Sequence, residues 1–261
     1  MIKSTDQLVN VIKKYIDSGN YSIQFDDKTN SMIFEMKNEL FENGCAQIEI
    51  PNKEIEFQKE IKNLENQIKE LSKENLAITS FNGTVILENE EKIILSKMVH
   101  PNKKIKFNLL FSTKLDGTDS SSTFHYNCDG VFPTLTIVLD TSGRKFGGYS
   151  TQNWCPSTSG ETYSRAPGSF LFNITNKEKP EKYNLIDELN KNTIYRGKVN
   201  GPTFGGQHDL YISNSCKSSS NSYCYKGSSS SYNTGNNNLL GNSGQTTFQV
   251  KEYEVYQVIF E

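Results

Sequence analysis

From position 81 onward the chain is a succession of short alternating apolar runs cut by turn dipeptides, and this rhythm constrains its fold more than any other feature. The runs fall at 84–87, 107–112, 134–139, 146–149, 169–174, 208–212 and 253–260. Asn82-Gly83, Asp116-Gly117, Asp129-Gly130 and Ser142-Gly143 stand among them, pairs that supply the conformations tight reversals need. A two-residue period puts alternate side chains on opposite faces of a strand, so each run has a face to bury. Many short strands with few strong helical repeats predict a mainly β module: a two-sheet antiparallel β-sandwich with short flanking helices, the latter at 92–101 and 120–128. Serine, asparagine and glycine crowd 213–245, which predicts a long loop burying little apolar surface, with at most a short strand at 223–225.

The first 80 residues obey other periods. At 4–18, Leu8, Val9, Ile12 and Ile16 share one helical face, Ser4 and Gln7 suit a capping box, and Gly19 follows the end. Tyr21, Ile23 and Phe25 alternate with polar residues, as do Met32, Phe34 and Met36 after a turn at 26–30, so a hairpin is expected, with a third strand at 45–50. Between 51 and 79 the period becomes a heptad: Phe57, Ile61, Leu64, Ile68, Leu71 and Ile78, interrupted at Asn75. The expected organisation is a small α+β unit over 1–50, a coiled-coil or amphipathic helix over 52–79, and the β module over 80–261. The helix predicts either a homo-oligomer through 54–78 or a helix folded back on its own domain; Glu60 and Glu65 would set like charges across a parallel pair.

Charge and cysteine usage remove several function classes. With 28 basic and 30 acidic residues the net charge is −2 and the pI about 6.0, without the clustered Lys and Arg that nucleic acid or an anionic membrane requires. No segment approaches the roughly 20 apolar residues that span a bilayer, and the first residues lack the apolar run of a signal peptide, so a cytoplasmic protein without membrane insertion is expected. Cys45, Cys128, Cys155, Cys216 and Cys224 form no Cys-x-x-Cys pair, and His100, His125 and His208 are scattered, which predicts reduced thiols, no metal and no cofactor.

Candidate site residues concentrate in Gly201-Pro-Thr-Phe-Gly-Gly-Gln-His-Asp-Leu-Tyr-Ile212, where glycines, an aromatic, a histidine and an aspartate meet at a strand mouth. Lys145-Phe-Gly-Gly-Tyr149 repeats the Phe-Gly-Gly device. Gly147, Gly148, Gly201, Gly205 and Gly206 are read as places of close backbone approach, with Phe146 and Phe204 filling the core and Trp154 anchoring core or loop. Neither glycine pair carries the Gly-Lys-Ser/Thr of a phosphate cradle. As strand neighbours, His208 and Asp209 would point to opposite faces, which does not suit half of a catalytic triad. They are read instead as bonding loop backbone or contacting a partner. A second reading gives redox chemistry to Cys128, one helical turn from His125, whose imidazolium would lower the thiol pKa.

The ordered set of motifs in the second part of the chain resembles the TLDc domain of the oxidation-resistance proteins. Asn108-Leu-Leu-Phe-Ser112 with Asp116-Gly117 is followed by Phe124-His125, Cys128-Asp129, Pro133-Thr-Leu135, Lys145-Phe-Gly-Gly-Tyr149 and Trp154. Then come Ser169-Phe-Leu-Phe172, Gly201-Pro-Thr-Phe-Gly-Gly206, His208-Asp-Leu210 and a closing strand with Glu252, Glu254 and Val255, while Ile93-Ile-Leu-Ser96 is similar to the opening segment. The resemblance implies a β-sandwich without established enzymatic chemistry. It also implies links to oxidative-stress protection and, as a protein partner, the peripheral subunits of the vacuolar proton-pumping ATPase, hence a cytoplasmic location peripheral to vacuolar or endolysosomal membranes. The first 80 residues match nothing in that domain.

Overall fold

The computed structural model describes residues 21–26, 31–36, 59, 61–72, 80–81, 83–156 and 162–261. The chain separates into two compact units, Met1–Glu70 and Leu71–Glu261. In the first, β1 (Tyr21–Asp26) pairs antiparallel with β2 (Ser31–Met36), Tyr21 opposite Met36, forming the hairpin that the alternation predicts. A helix, α1, occupies 61–72. The helix expected at 4–18, the strand expected at 45–50 and both ends of the heptad run lie outside the described residues.

After the end of α1, the second unit holds α2 (Asn89–Val99), β3 (Ile105–Ser112), α3 (Ser121–Cys128), β4 (Thr134–Asp140) and β5 (Lys145–Ser150). It continues through β6 (Thr162–Ser164), β7 (Phe170–Asn173), β8 (Glu181–Asn184), β9 (Ile194–Arg196) and β10 (Thr203–Phe204). It ends with β11 (Leu210–Tyr211), β12 (Ser222–Cys224), β13 (Thr246–Phe248) and β14 (Val250–Phe260). These strands make two six-stranded antiparallel sheets, ordered β3-β14-β4-β5-β7-β8 and β13-β12-β11-β10-β9-β6. The mainly β sandwich with short helices is therefore the observed architecture.

The first sheet is covered on both faces. Phe111, Val138, Phe146, Tyr253 and Val255 join Phe204, Leu210 and Phe248 of the second sheet in one apolar cluster. Leu135, Ile137, Phe172, Tyr256 and Val258 join Phe81, Ile86 and Leu95 in another. Alternation thus places apolar side chains on both sides of β4, and six of its seven residues are buried. Helix α2 starts three residues before the expected 92 because Glu88 and Glu91 form a capping box. Buried Glu91 also receives the Lys145 ammonium at 2.7 Å, tying α2 to β5.

Two expectations are corrected. The run 84–87 is a loop, not a strand. Glu254 is fully buried, and its carboxylate must find donors: Val85 N–H at 2.7 Å, the Thr84 hydroxyl at 2.8 Å and the Tyr256 hydroxyl at 2.7 Å. The segment 213–245 is the expected long loop with one short strand, β12, but it does not bury little apolar surface: Cys216, Cys224, Tyr232 and Leu239 lie in the inter-sheet cluster. Its polar residues make this possible by satisfying backbone: Asn238 Nδ2 donates to the Gly244 carbonyl at 3.0 Å, and its Oδ1 accepts from Leu240 N–H at 3.0 Å.

Candidate functional site

The two Phe-Gly-Gly devices meet across the sandwich. A Cβ at Gly148 would lie 2.6 Å from Phe204 Cζ, so the missing side chain is what admits the Phe204 ring. On the opposite face of β5, a Cβ at Gly147 would fall 2.0 Å from the Thr136 carbonyl oxygen of neighbouring β4. Phe146 and Phe204 are fully buried. Trp154 packs edge-on to Phe204 at 5.2 Å and donates its indole N–H to the Thr134 hydroxyl at 3.0 Å.

Past Phe204 the chain reverses through 205–209 into β11. Gly205 takes φ +87°, and its N–H donates to the Thr193 carbonyl at 2.8 Å. A Cβ there would sit 2.4 Å from Asp209 Cγ. Gly206 N–H reaches the Ser231 hydroxyl at 3.0 Å, and Gly201 N–H the Ile212 carbonyl at 2.9 Å. Asp209 is buried beneath the turn, where Oδ2 accepts Ser231 N–H at 2.7 Å and Tyr232 N–H at 2.9 Å. Burial pushes its carboxyl up to about 6, against the pull of these bonds. Asp209 therefore clips the 230–232 segment onto the hairpin.

His208 stands in the turn at φ +59°, not in a strand as 208–212 suggested. This bends its ring back over the outer face of the second sheet. The register explains what it meets: Ile194, Phe204 and Leu210 point inward, so their strand neighbours Tyr195 and Tyr211 point outward, opposite Tyr163 and Tyr223. His208 lies between the two tyrosine pairs, 5.1 Å from Tyr195 and stacked on Tyr211 at 5.5 Å. The pairs have ring centroids 4.9 Å apart, Tyr163 with Tyr195 and Tyr211 with Tyr223. His208 Nδ1 is hydrogen-bonded to the Tyr223 hydroxyl at 2.8 Å, and burial holds its pKa below the usual histidine value, which favours the neutral ring. The Tyr163 hydroxyl donates to the Gly206 carbonyl at 2.9 Å. Five rings thus form a partly exposed aromatic stripe anchored by the glycine turn.

The remaining candidates have other partners. His208 and Asp209 are bonded to different groups and form no proton-sharing pair with each other. His125 Nε2–H donates to the Gly197 carbonyl at 2.9 Å while Nδ1 lies 2.8 Å from Asp129, so this ring fastens the 197–200 loop to α3. Cys128 is fully buried, and burial with the nearby Asp129 and Asp116 charges raises its thiol pKa well above the ordinary value. That direction opposes the activation its spacing from His125 suggested. Among the described residues no group of three or more His, Cys, Asp and Glu is placed to hold a metal. An open groove of about 410 Å³ is lined in part by Lys114, Thr118, Asp119 and Lys217, and the Lys217 ammonium is paired with Glu252 at 2.9 Å.

Sequence reasoning found Gly201, Phe204, Gly205, Gly206, His208 and Asp209 as a group, and the structure brings them together. It missed Tyr163, Tyr195, Tyr211 and Tyr223, which come from four strands of two or three residues each. The available signal was Tyr211, directly after an inward Leu210 within the noted motif.

The family model described as the TLDc domain matches residues 80–259. Curated relatives include two proteins named MTOR-associated protein MEAK7. The Danio rerio protein is 30% identical over 125 residues, covering 46% of this chain and 26% of that protein. The Xenopus laevis protein is 31% identical over 108 residues, covering 41% of this chain and 23% of that protein. The chain spans about a quarter of the length of these relatives.

Proposed function

Because this chain belongs to the TLDc family, we propose that its β module is a non-enzymatic protein-interaction module that docks a partner on the aromatic outer face of its second sheet. The observation that carries this reading is the gathering of Tyr163, His208, Tyr195, Tyr211 and Tyr223 on one face, with Tyr163 37% exposed. Tyrosine supplies wide contact area with few rotors to freeze, together with a hydroxyl at the rim, and this favours it at the centres of protein interfaces. Gly205 and Asp209 serve the face indirectly by holding the turn that carries His208.

The first candidate partner is the peripheral sector of the vacuolar proton-pumping ATPase, which the TLDc resemblance implies, with oxidative-stress protection as the cellular consequence. Such a partner would bring the protein to vacuolar or endolysosomal membranes from outside the bilayer; no described helix is long and apolar enough to cross one. The relatives' names associate them with MTOR, which makes MTOR the second candidate. The test is affinity capture with the full chain, probing for peripheral ATPase subunits and MTOR. The unaltered protein should retain one of them, and a Tyr163→Ala/Tyr211→Ala variant should retain it at least about tenfold less, a difference of about 1.4 kcal/mol. Equal retention by a variant that melts like the unaltered protein would remove the tyrosine face from the function.

A further inference from the structure

The rings of the tyrosine face are arranged differently from most of those in the core. Three core pairs meet edge to face: Phe111 with Phe124 at 79°, Phe146 with Phe248 at 89° and Trp154 with Phe204 at 79°. Such contacts set the positive edge of one ring against the negative face of another. His208 meets its tyrosine neighbours at shallower angles, 18° to Tyr211, 30° to Tyr223, 42° to Tyr163 and 43° to Tyr195. Shallow stacking brings faces of like sign together, and a positive group laid on the stack offsets this.

Two other stacks show how this protein supplies the positive group. Phe81 lies on Phe107 at 14°, and the edge of Tyr256 closes on Phe81 at 77°. Tyr149 lies on Phe170 at 25°, and the Lys182 ammonium stands 4.1 Å from the Phe170 centroid. All four stacked rings are buried, so the completing group comes from the same chain. The stack of His208 on Tyr211 is only partly buried, which leaves room for a group from another molecule.

The charge beneath the face has the matching sign. Asp209 is buried under the turn with its Oδ1 making no hydrogen bond, and burial together with the Asp209 charge raises the Tyr163 pKa. The Ser230 hydroxyl and Lys226 also act on this carboxylate, but the Lys226 ammonium donates to the Tyr232 carbonyl at 3.2 Å. The Tyr163 hydroxyl donates to the Gly206 carbonyl and keeps its lone pairs for an incoming donor. A guanidinium meets these conditions better than an ammonium, being planar, rich in N–H donors and more weakly hydrated. We infer that the tyrosine face takes an arginine side chain of the partner, its guanidinium lying on the stack of His208 and Tyr211 as Lys182 stands over Phe170. The inference rests on the reading of this face as the docking surface and adds what the partner presents to it.

Nuclear magnetic resonance of the full chain, titrated with N-acetyl-arginine amide at about pH 7.5 so that Asp209, with its value of about 6, is charged, tests it. N-acetyl-citrulline amide, of the same shape without the charge, is the comparison. The ring signals of Tyr163, His208 and Tyr211 should move with the arginine compound, and the citrulline compound should bind at least about tenfold more weakly. Tyr211→Ala should abolish the response. Asp209→Asn keeps the rings and an acceptor oxygen for Ser231 and Tyr232 but should weaken binding about threefold. No movement, equal binding of the citrulline compound, tighter binding of N-acetyl-lysine amide, or an undiminished response in either variant would each overturn the inference. Failure of the docking surface itself looks different. A partner released by Tyr163→Ala/Tyr211→Ala, with ring signals that ignore the arginine compound, keeps the face and removes the arginine; a partner retained by that variant removes the face.

Discussion

The two sheets of the β module have the same number of strands and are built in opposite ways. The first uses long strands, eleven residues in β14 and eight in β3, and buries both faces. The second uses strands of two or three residues; its inner face is buried and its outer face only in part. Ladder hydrogen bonds define the first. The second supplements its short ladders with side chains that bond backbone: Asp209 to Ser231 and Tyr232, Asn238 to Leu240 and Gly244 in the loop beside it, and the Tyr232 hydroxyl to Thr193. The division teaches how one fold can be fixed in two ways. A doubly covered sheet is fixed by packing, while the second sheet is stapled side chain by side chain and carries partly exposed tyrosines on its outer face.

If the first sheet tolerates no change in backbone spacing, Gly147→Val should be the most damaging substitution. Its Cβ would meet the Thr136 carbonyl of the adjacent strand, and a cost above about 4 kcal/mol is expected, seen as loss of the cooperative melt. Phe204→Ala tests whether the sheets stand or fall together. It should cost about 3–5 kcal/mol yet leave a single transition in calorimetry, since Phe204 packs against Gly148 of the first sheet. Two separate transitions would break the comparison into two independent parts.

Asp209 offers a test by pH. Its folded-state value of about 6 lies above the ordinary 3.8, so its contribution to stability is complete below 3.8 and is lost as pH rises through about 6. Asp209→Asn lacks this cost of a buried charge. Its melting temperature should therefore gain on that of the unaltered protein as pH rises from about 4 to 7; a difference that stays constant would place the titration elsewhere. The smallest effect belongs to Tyr232→Phe. It removes one buried hydroxyl bond to the Thr193 carbonyl, for a loss of about 1 kcal/mol measured by denaturant unfolding.

The same contrast explains what the sequence disclosed. β3, β4 and β14 are legible because their apolar runs extend for six residues or more, while β5 was legible through its Phe-Gly-Gly pair, read as a close approach. The helix α2 was legible to within three residues, the shift arising from a capping box placed before the apolar stripe. β10, two residues long, is too short for any period to register, and β11 is only the 210–211 part of the run read at 208–212. The positive φ of His208 is invisible in a residue type that seldom adopts it. The burial of Glu254 and Asp209 was equally hidden, because a charged residue inside a core is recognisable only once its donors are in place. The tyrosine face was missed because its members come from four short strands whose adjacency is a product of the sheet order.

Hydrogen exchange of the full chain, alone and with the isolated peripheral sector of the vacuolar ATPase, tests most directly whether the first sheet is scaffold and the second is the docking face. The account predicts slow exchange in β4, β5 and β14 in both samples, with new protection on binding confined to 203–211, 222–224 and the 162–164 and 194–196 strands. Protection appearing on the first sheet or on α2, with the tyrosine-bearing strands unchanged, would contradict it.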